Sequence, residues 1–132
     1  MAKGLLIDNK NIKKYKELSA GLKKAKPFAT QSSVHITAAL IALKLNLRAK
    51  QPNNKYEILR GKVLNEIQWK VIRQISIAVT EDPKILLNED EQLDIINGLA
   101  NSGLSELYST ITANGNDFLG FIEHCKQYYW TK

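Results

Sequence analysis

The sequence has little of what metal sites and covalent catalytic sites need. Its 132 residues include one cysteine, Cys125, and two histidines, His35 and His124. A single cysteine excludes a disulfide framework within the chain and a cysteine-rich zinc site. Two distant histidines without a third ligand argue against a metal centre. His124 and Cys125 are neighbours on a predicted helix, so their side chains diverge too far to act as base and nucleophile. We therefore expect no enzyme, no cofactor and no small-molecule substrate.

Long hydrophobic runs and phosphate-binding loops are also missing. The most apolar run, VHITAALIAL at residues 34–43, is too short to cross a bilayer. The opening residues MAKGLLIDNK lack the apolar segment of a signal peptide. The densest group of carboxylates, at residues 81–94, is explained most simply by acids that offset a helix dipole. These absences predict a protein that is synthesised in the cytoplasm.

The first half of the chain has few acidic residues. Residues 1–62 contain fourteen lysines and arginines against three acids, whereas residues 63–132 contain five against ten. The two parts therefore carry net charges of +11 and −5, which together give the formal charge of +6. Such a separation predicts that the first part meets a polyanion.

The stretch NKNIKKYKELSAGLKKAKPF, residues 9–28, is both basic and amphipathic. Helical spacing places its apolar residues on one face and most of its lysines on the rest. Gly21 weakens such a helix by about 1 kcal/mol relative to alanine, and Pro27 ends it. We expect the lysines to meet phosphate and the apolar face to meet another subunit.

The remaining apolar periodicity is also helical. An apolar helix is predicted over residues 34–49, and an Asn54–Glu57 capping box opens a long helix over residues 55–79. Three shorter helices follow: one over about 89–100, opened by a second capping-box pattern at Asn88 and Glu91, one from Leu104 to Asn114-Gly115, and one over about 116–129. The predicted fold is all-α: an extended basic N-terminal helical arm (residues 1–54) followed by an antiparallel four-helix bundle (residues 55–132).

The basic residues of the arm and of the start of the bundle predict contact with double-stranded DNA. Lysine-dominated contact favours phosphate binding without sequence choice. The predicted DNA-binding residues are Lys3, Lys10, Lys13, Lys14, Lys16, Lys23, Lys24, Lys26, Lys44, Arg48, Lys50, Lys55, Arg60 and Lys62. The predicted subunit-interface residues are Ile12, Tyr15, Leu18, Leu22, Tyr128, Tyr129 and Trp130.

In length, charge separation and helix order, the chain resembles the major coat proteins of filamentous and rod-shaped archaeal viruses, the lipothrixvirus and rudivirus group. The resemblance implies a virion structural protein whose paired subunits, identical or paralogous, wrap double-stranded DNA. It further implies DNA in A form, a helical filament and, in enveloped members, a surrounding lipid layer. A-form duplex is contacted through backbone and shape, which suits a series of lysines.

Two other function classes remain open at this point. One is a small DNA-binding regulator, or an inhibitor of a host protein, encoded by a virus or plasmid. A regulator of the helix-turn-helix type needs base-reading polar residues on its second helix, which is rich in isoleucine and leucine here. The other class is a membrane-surface protein that uses residues 9–26 as a basic amphipathic helix.

Overall fold

The described part of the chain folds into four helices and a two-stranded sheet around one hydrophobic core. The structure, a computed structural model, describes residues 4–21 and 30–113, with side chains at 4–19 and 30–110. The elements are β1 (Gly4–Asp8), α1 (Ile12–Lys16), α2 (Gln31–Lys44), β2 (Lys55–Arg60), α3 (Glu66–Thr80) and α4 (Glu89–Ala113). Helical turns of other types lie at Asn9–Asn11, Glu17–Gly21, Gly61–Val63 and Pro83–Leu87. No helix in these described ranges is long and apolar enough to cross a membrane.

The prediction of an all-α fold is wrong, because β1 and β2 form an antiparallel sheet. Gly4 pairs with Arg60 and Asp8 with Lys55, with a shift in register between Leu5 and Leu6. Leu5 is fully buried on the core side of β1. The strands lie some fifty residues apart in the chain, so helical periodicity within either segment could not reveal that they pair.

The long predicted helix therefore begins later than expected. Helix α3 starts after Asn65, whose side chain accepts from Gln68 N at 2.8 Å while Asn65 N donates to Gln68 Oε1 at 2.9 Å. This reciprocal pair is the capping box of the helix, and the predicted one at Asn54 and Glu57 is wrong. Val63 and Ile67, apolar residues within the predicted helix of residues 55–79, are largely exposed.

Helix α4 is one continuous element where the sequence predicted two. Its predicted cap is confirmed, since Glu91 N donates to Asn88 Oδ1 at 3.1 Å. The helix then runs through the Asn101-Ser102-Gly103 stretch that was expected to interrupt it. A single glycine costs a helix about 1 kcal/mol relative to alanine, which burial of the surrounding face can offset.

Helices α2 and α4 pack closely against each other at the centre of the core. Gly103 faces Ala38 and Ala42, whereas Gly98 faces Ala49. A methyl group at Gly103 would overlap the carbonyl oxygen of Ala38, so the absence of a side chain lets the two backbones approach closely.

The expected extended arm is instead part of this core. Tyr15 and Leu18, from the first half of the chain, are buried in the same cluster as Ile96 and Leu104 of α4. The predicted domain boundary between residues 54 and 55 would therefore separate β1 from β2, which pair, and α2 from α4, which pack together. The helix predicted at 116–129, with His124 and Cys125, lies outside the described residues.

We predict that Gly103→Ala destabilises the protein by about 1–3 kcal/mol, because backbone atoms of α2 must move to admit the methyl group. Gly98→Ala is the matched control in the same helix: its nearest atom belongs to the flexible side chain of Gln51. Thermal or urea unfolding of both variants measures the difference. Equal stability of the two variants would show that α2 can move away from α4 without lowering the free energy of unfolding.

We also predict that a chain starting at residue 55 does not fold. It lacks β1 and α2, so β2 loses its hydrogen-bonding partner and the apolar face of α4 loses its cover. Circular dichroism with thermal melting measures this. A cooperative transition in the truncated chain would instead support an independent domain at 55–132.

Candidate nucleic-acid interface

A groove rich in basic residues lies between the N-terminal helical turns, the loop after α2 and one side of α4. Its volume is about 750 Å³. We call it the basic groove; its lining residues are Lys10, Asn11, Lys14, Leu47, Arg48, Ala49, Lys50, Asn101, Ser102 and Ser105. Four of these residues are cationic and none is acidic. None of the four cations forms an ion pair within residues 4–19 and 30–110. The groove is therefore a region of concentrated positive charge.

Hydrogen bonds hold the loop of residues 47–50 against α4. Lys50 N donates to the carbonyl of Gly98 at 3.0 Å, and Asn101 Nδ2 donates to the carbonyl of Lys50 at 2.8 Å. Ser102 Oγ donates to the carbonyl of Arg48 at 2.5 Å. The side chains of Arg48 and Lys50 remain exposed at the groove. Hydrogen bonds to the backbone of the loop thus fix the points from which these two side chains extend.

An aromatic ring holds the lysine on the opposite wall. The Lys14 ammonium lies 5.3 Å from the centre of the Tyr108 ring, within the range of a cation–π contact. Tyr108 Oη in turn donates to Glu17 Oε2 at 2.5 Å. This hydrogen bond raises the pKa of the Tyr108 hydroxyl, with smaller contributions from burial and from the negative charge of Glu17.

A buried polar network joins the elements that carry the groove residues. Asn97 Oδ1 accepts from the backbone N–H of Leu6 at 2.9 Å and lies 2.8 Å from His35 Nε2. His35 Nδ1 lies 2.7 Å from Tyr15 Oη, and Asn97 Nδ2 donates to the carbonyl of Gly4 at 3.1 Å. The network therefore joins β1, α1, α2 and α4 at one point.

The hydrogen bond from the Leu6 backbone N–H to Asn97 determines where each proton of this network lies. Because a backbone N–H only donates, the Asn97 atom it meets is the oxygen, so His35 Nε2 must carry a proton. Burial lowers the pKa of His35 to about 4, although the hydrogen bond to Asn97 opposes the shift. The ring is therefore neutral near pH 7, and its bare Nδ1 accepts from the Tyr15 hydroxyl. Burial also raises the pKa of Tyr15, which keeps that hydroxyl protonated.

Comparison with known families gives one result. Residues 8–123 match the family of DNA sulphur modification system-associated protein 4. The chain belongs to this family. No curated protein and no solved structure matches the chain. The resemblance to viral coat proteins is not tested by these comparisons and stays a prediction.

Within this family member, the structure brings only part of the predicted DNA-binding set together. Lys10, Lys14, Arg48 and Lys50 share the basic groove. Lys13, Lys16 and Lys55 are exposed outside its lining, and Lys44 is half-buried at the end of α2. Lys3, Lys23, Lys24 and Lys26 lie outside the described residues.

Arg60 and Lys62 lie in a different electrostatic setting. They line a second cavity of about 510 Å³ together with Glu89, Asp90 and Trp69. Carboxylates in the same cavity weaken its attraction for a phosphate backbone. The basic series expected from the sequence is therefore dispersed in the described part of the chain, with four members in the basic groove and two in the second cavity.

The residues predicted to form a subunit interface are, where the structure describes them, packed in the core of the chain itself. Tyr15 and Leu18 are 1% and 0% exposed, and Ile12 is half-buried against the same core. The chain itself covers the face that we assigned to a neighbouring subunit, because α1 packs on α2 and β1 packs beneath α4. Leu22, Tyr128, Tyr129 and Trp130 lie outside the described residues.

The polar residues of α4 are not among the site residues predicted from the sequence. Asn97, Asn101 and Ser105 recur at intervals of four, so they lie along one side of the helix. That spacing was the available signal, but the NSG stretch was interpreted as a helix break. Among the described residues, no group of three or more His, Cys, Asp or Glu side chains could hold a metal ion.

We predict that acid weakens the fold through His35. Its pKa is about 4 in the folded chain and 6.5 in the unfolded chain, so between these pH values only the unfolded chain takes up the proton. The contribution of His35 to stability is intact above pH 6.5 and is lost as the pH falls towards 4. The loss amounts to about 3 kcal/mol at most. Urea unfolding over this pH range measures it.

The variant His35→Gln should show a shallower fall in stability than the wild type over the same interval, because glutamine does not titrate. His124→Gln makes the same change at the only other histidine of the chain and should keep the steep fall. If the stability of the wild type and of His35→Gln falls equally with pH, the fall does not come from His35.

Proposed function

We propose that this chain is a non-catalytic component of a DNA sulphur modification system that holds duplex DNA by its phosphate backbone. The basic groove supports the proposal most directly: four cations line it and no carboxylate does. The name of the family supplies the context, since it associates the family with a system that acts on DNA.

The contacts in the groove favour backbone binding over base reading. Asparagine side chains that read bases need both amide groups available for a base edge. Asn101 instead accepts from Asn11 Nδ2 at 3.3 Å and donates to the carbonyl of Lys50. Ser102 likewise donates to the carbonyl of Arg48. With these groups engaged within the protein, the cations are the main feature offered to a ligand, and they attract phosphates of any sequence.

The four cations also set the expected salt dependence. Each phosphate contact on duplex DNA contributes about −0.9 to the slope of log K against log salt, so four contacts give roughly −3.6. Contact by about six to ten of the fourteen residues predicted from the sequence would have given a slope of roughly −5 to −9. The smaller value follows because only four of the predicted residues in the described part of the chain line the basic groove.

The other expectations differ in their support. The membrane-surface alternative required an exposed apolar face on residues 9–26, and Tyr15 and Leu18 on that face are buried. The family name favours a DNA modification system over a virion or a regulator. Coat assembly, A-form DNA, a lipid envelope and a location in the virion stay predictions.

The proposal is tested by removing two exposed lysines from the groove. Lys10→Gln with Lys50→Gln should weaken binding to a labelled duplex of about 20 base pairs, roughly two turns, and reduce the salt slope by about 2. Fluorescence anisotropy over a series of salt concentrations measures both quantities. Two duplexes of unrelated sequence should bind alike.

The matched control is Lys70→Gln with Lys84→Gln, which removes two exposed lysines from α3 and the turn that follows it. It changes the net charge equally and should leave the salt slope unchanged. If both double variants lose affinity equally, the attraction comes from net charge alone and the groove is not the site. If the wild-type chain binds no duplex, the proposal fails.

A further inference from the structure

The end of the molecule formed by the α3–α4 connection combines exposed leucines with carboxylates. Leu87 is 88% exposed, more than any other large hydrophobic residue in the described part of the chain, and Leu86 is 41% exposed. We call this surface the acidic leucine end. It consists of Leu86, Leu87, Glu81, Asp82, Glu89, Asp90 and Glu91.

These carboxylates are not neutralised by the described chain. Residues 80–94 contain six acids and a single cation, Lys84. None of the five acids of the acidic leucine end forms an ion pair within residues 4–19 and 30–110. Arg60 and Lys62, which share the second cavity with Glu89 and Asp90, and Lys84 are the cations nearest to this surface, so five acids outnumber three cations there.

A helix dipole explains only some of these acids. Glu89, Asp90 and Glu91 lie in the first turn of α4, where negative charge is favourable. Glu81 lies at the C-terminal end of α3, where negative charge is unfavourable. Its backbone also adopts the left-handed conformation, with φ of 54°, which costs a residue with a side chain about 1 kcal/mol. Stability of the monomer thus does not account for a glutamate at this position.

The complementary surface occurs on the same chain. The basic groove offers four cations beside two apolar residues, Leu47 and Ala49, in about 750 Å³. From this we infer that the acidic leucine end of one copy docks into the basic groove of a second copy. Leu87 enters beside Leu47, and the surrounding carboxylates face the four cations.

The acidic leucine end of one copy cannot reach the basic groove of the same copy. The acids at the start of α4 and the groove residues at 101–105 lie about 20 Å apart along one continuous helix. The contact must therefore join different copies, and it uses a different surface on each copy. Such head-to-tail contacts leave one groove and one acidic end open, so further copies can add.

Docking and DNA then compete for the same four cations. This competition rests on the proposed function, whereas the docking itself does not. DNA at sufficient concentration should disperse the assembly, and assembly should lower the number of grooves open to DNA.

Sedimentation velocity of the full chain, without DNA, tests the docking. At about 0.05 M salt we expect the average sedimentation coefficient to rise with protein concentration, and at about 0.5 M salt we expect monomer, because salt screens the charges. Leu87→Ser should abolish the rise. Ile67→Ser, which alters a side chain that is 75% exposed on α3, should leave the rise unchanged.

A mixing experiment tests the head-to-tail geometry. Lys10→Gln with Lys50→Gln damages the groove, and Leu87→Ser damages the acidic end, so each variant alone should be monomeric. Mixed in equal amounts, they should form a dimer that grows no further, because one copy retains an intact end and the other an intact groove.

The outcomes separate the two proposals. A wild-type chain that stays monomeric at low salt overturns the docking, and so does association that Leu87→Ser leaves intact or a mixture that stays monomeric. Leu87→Ser should still bind duplex DNA with the wild-type salt slope. Assembly without any duplex binding would overturn the proposed function and leave the docking standing.

Discussion

The fold depends on satisfying the buried amide of Asn97. A buried polar group without partners costs roughly 1–3 kcal/mol, and Asn97 meets this demand with backbone groups of β1 and the ring of His35. His35 in turn needs the Tyr15 hydroxyl, which anchors α1. One side chain on α4 thereby fixes a strand and two helices. Burial keeps His35 neutral against the opposing effect of its bond to Asn97 on the pKa, and only the neutral ring leaves Nδ1 free to accept from Tyr15.

The basic groove follows from that arrangement. One wall carries Lys10 and Lys14 from the segment that Tyr15 anchors, and the other carries Arg48 and Lys50 from the loop after α2. Both walls meet on α4, whose polar side bonds the loop while its apolar side packs against α2. Helix α4 thus serves the core, the groove and the acidic leucine end along its length. The charge asymmetry of the chain becomes a spatial separation of about 20 Å on one rigid element.

Much of the local structure was accessible from the sequence. The cap at Asn88 predicted the start of α4, and apolar helical spacing predicted most of the residues that form α2 and α3. The two strands were not accessible, because their pairing joins residues 4–8 to 55–60 and neither segment shows a clear alternation by itself. The sequence also placed Tyr15 and Leu18 on an apolar face correctly but could not say what covers it. Periodicity identifies a face that must be buried, whereas the identity of its cover is a property of the whole fold.

The sequence by itself determined which residues carry charge and that the charge is divided: net +11 over residues 1–62 and −5 over the rest. Tertiary structure decided which of those charges act together. It placed Lys10, Lys14, Arg48 and Lys50 around one groove and put Arg60 and Lys62 beside Glu89 and Asp90. The reason is physical: charges interact over distances of a few ångströms in space, and distance in space depends on how β1, α2 and α4 pack.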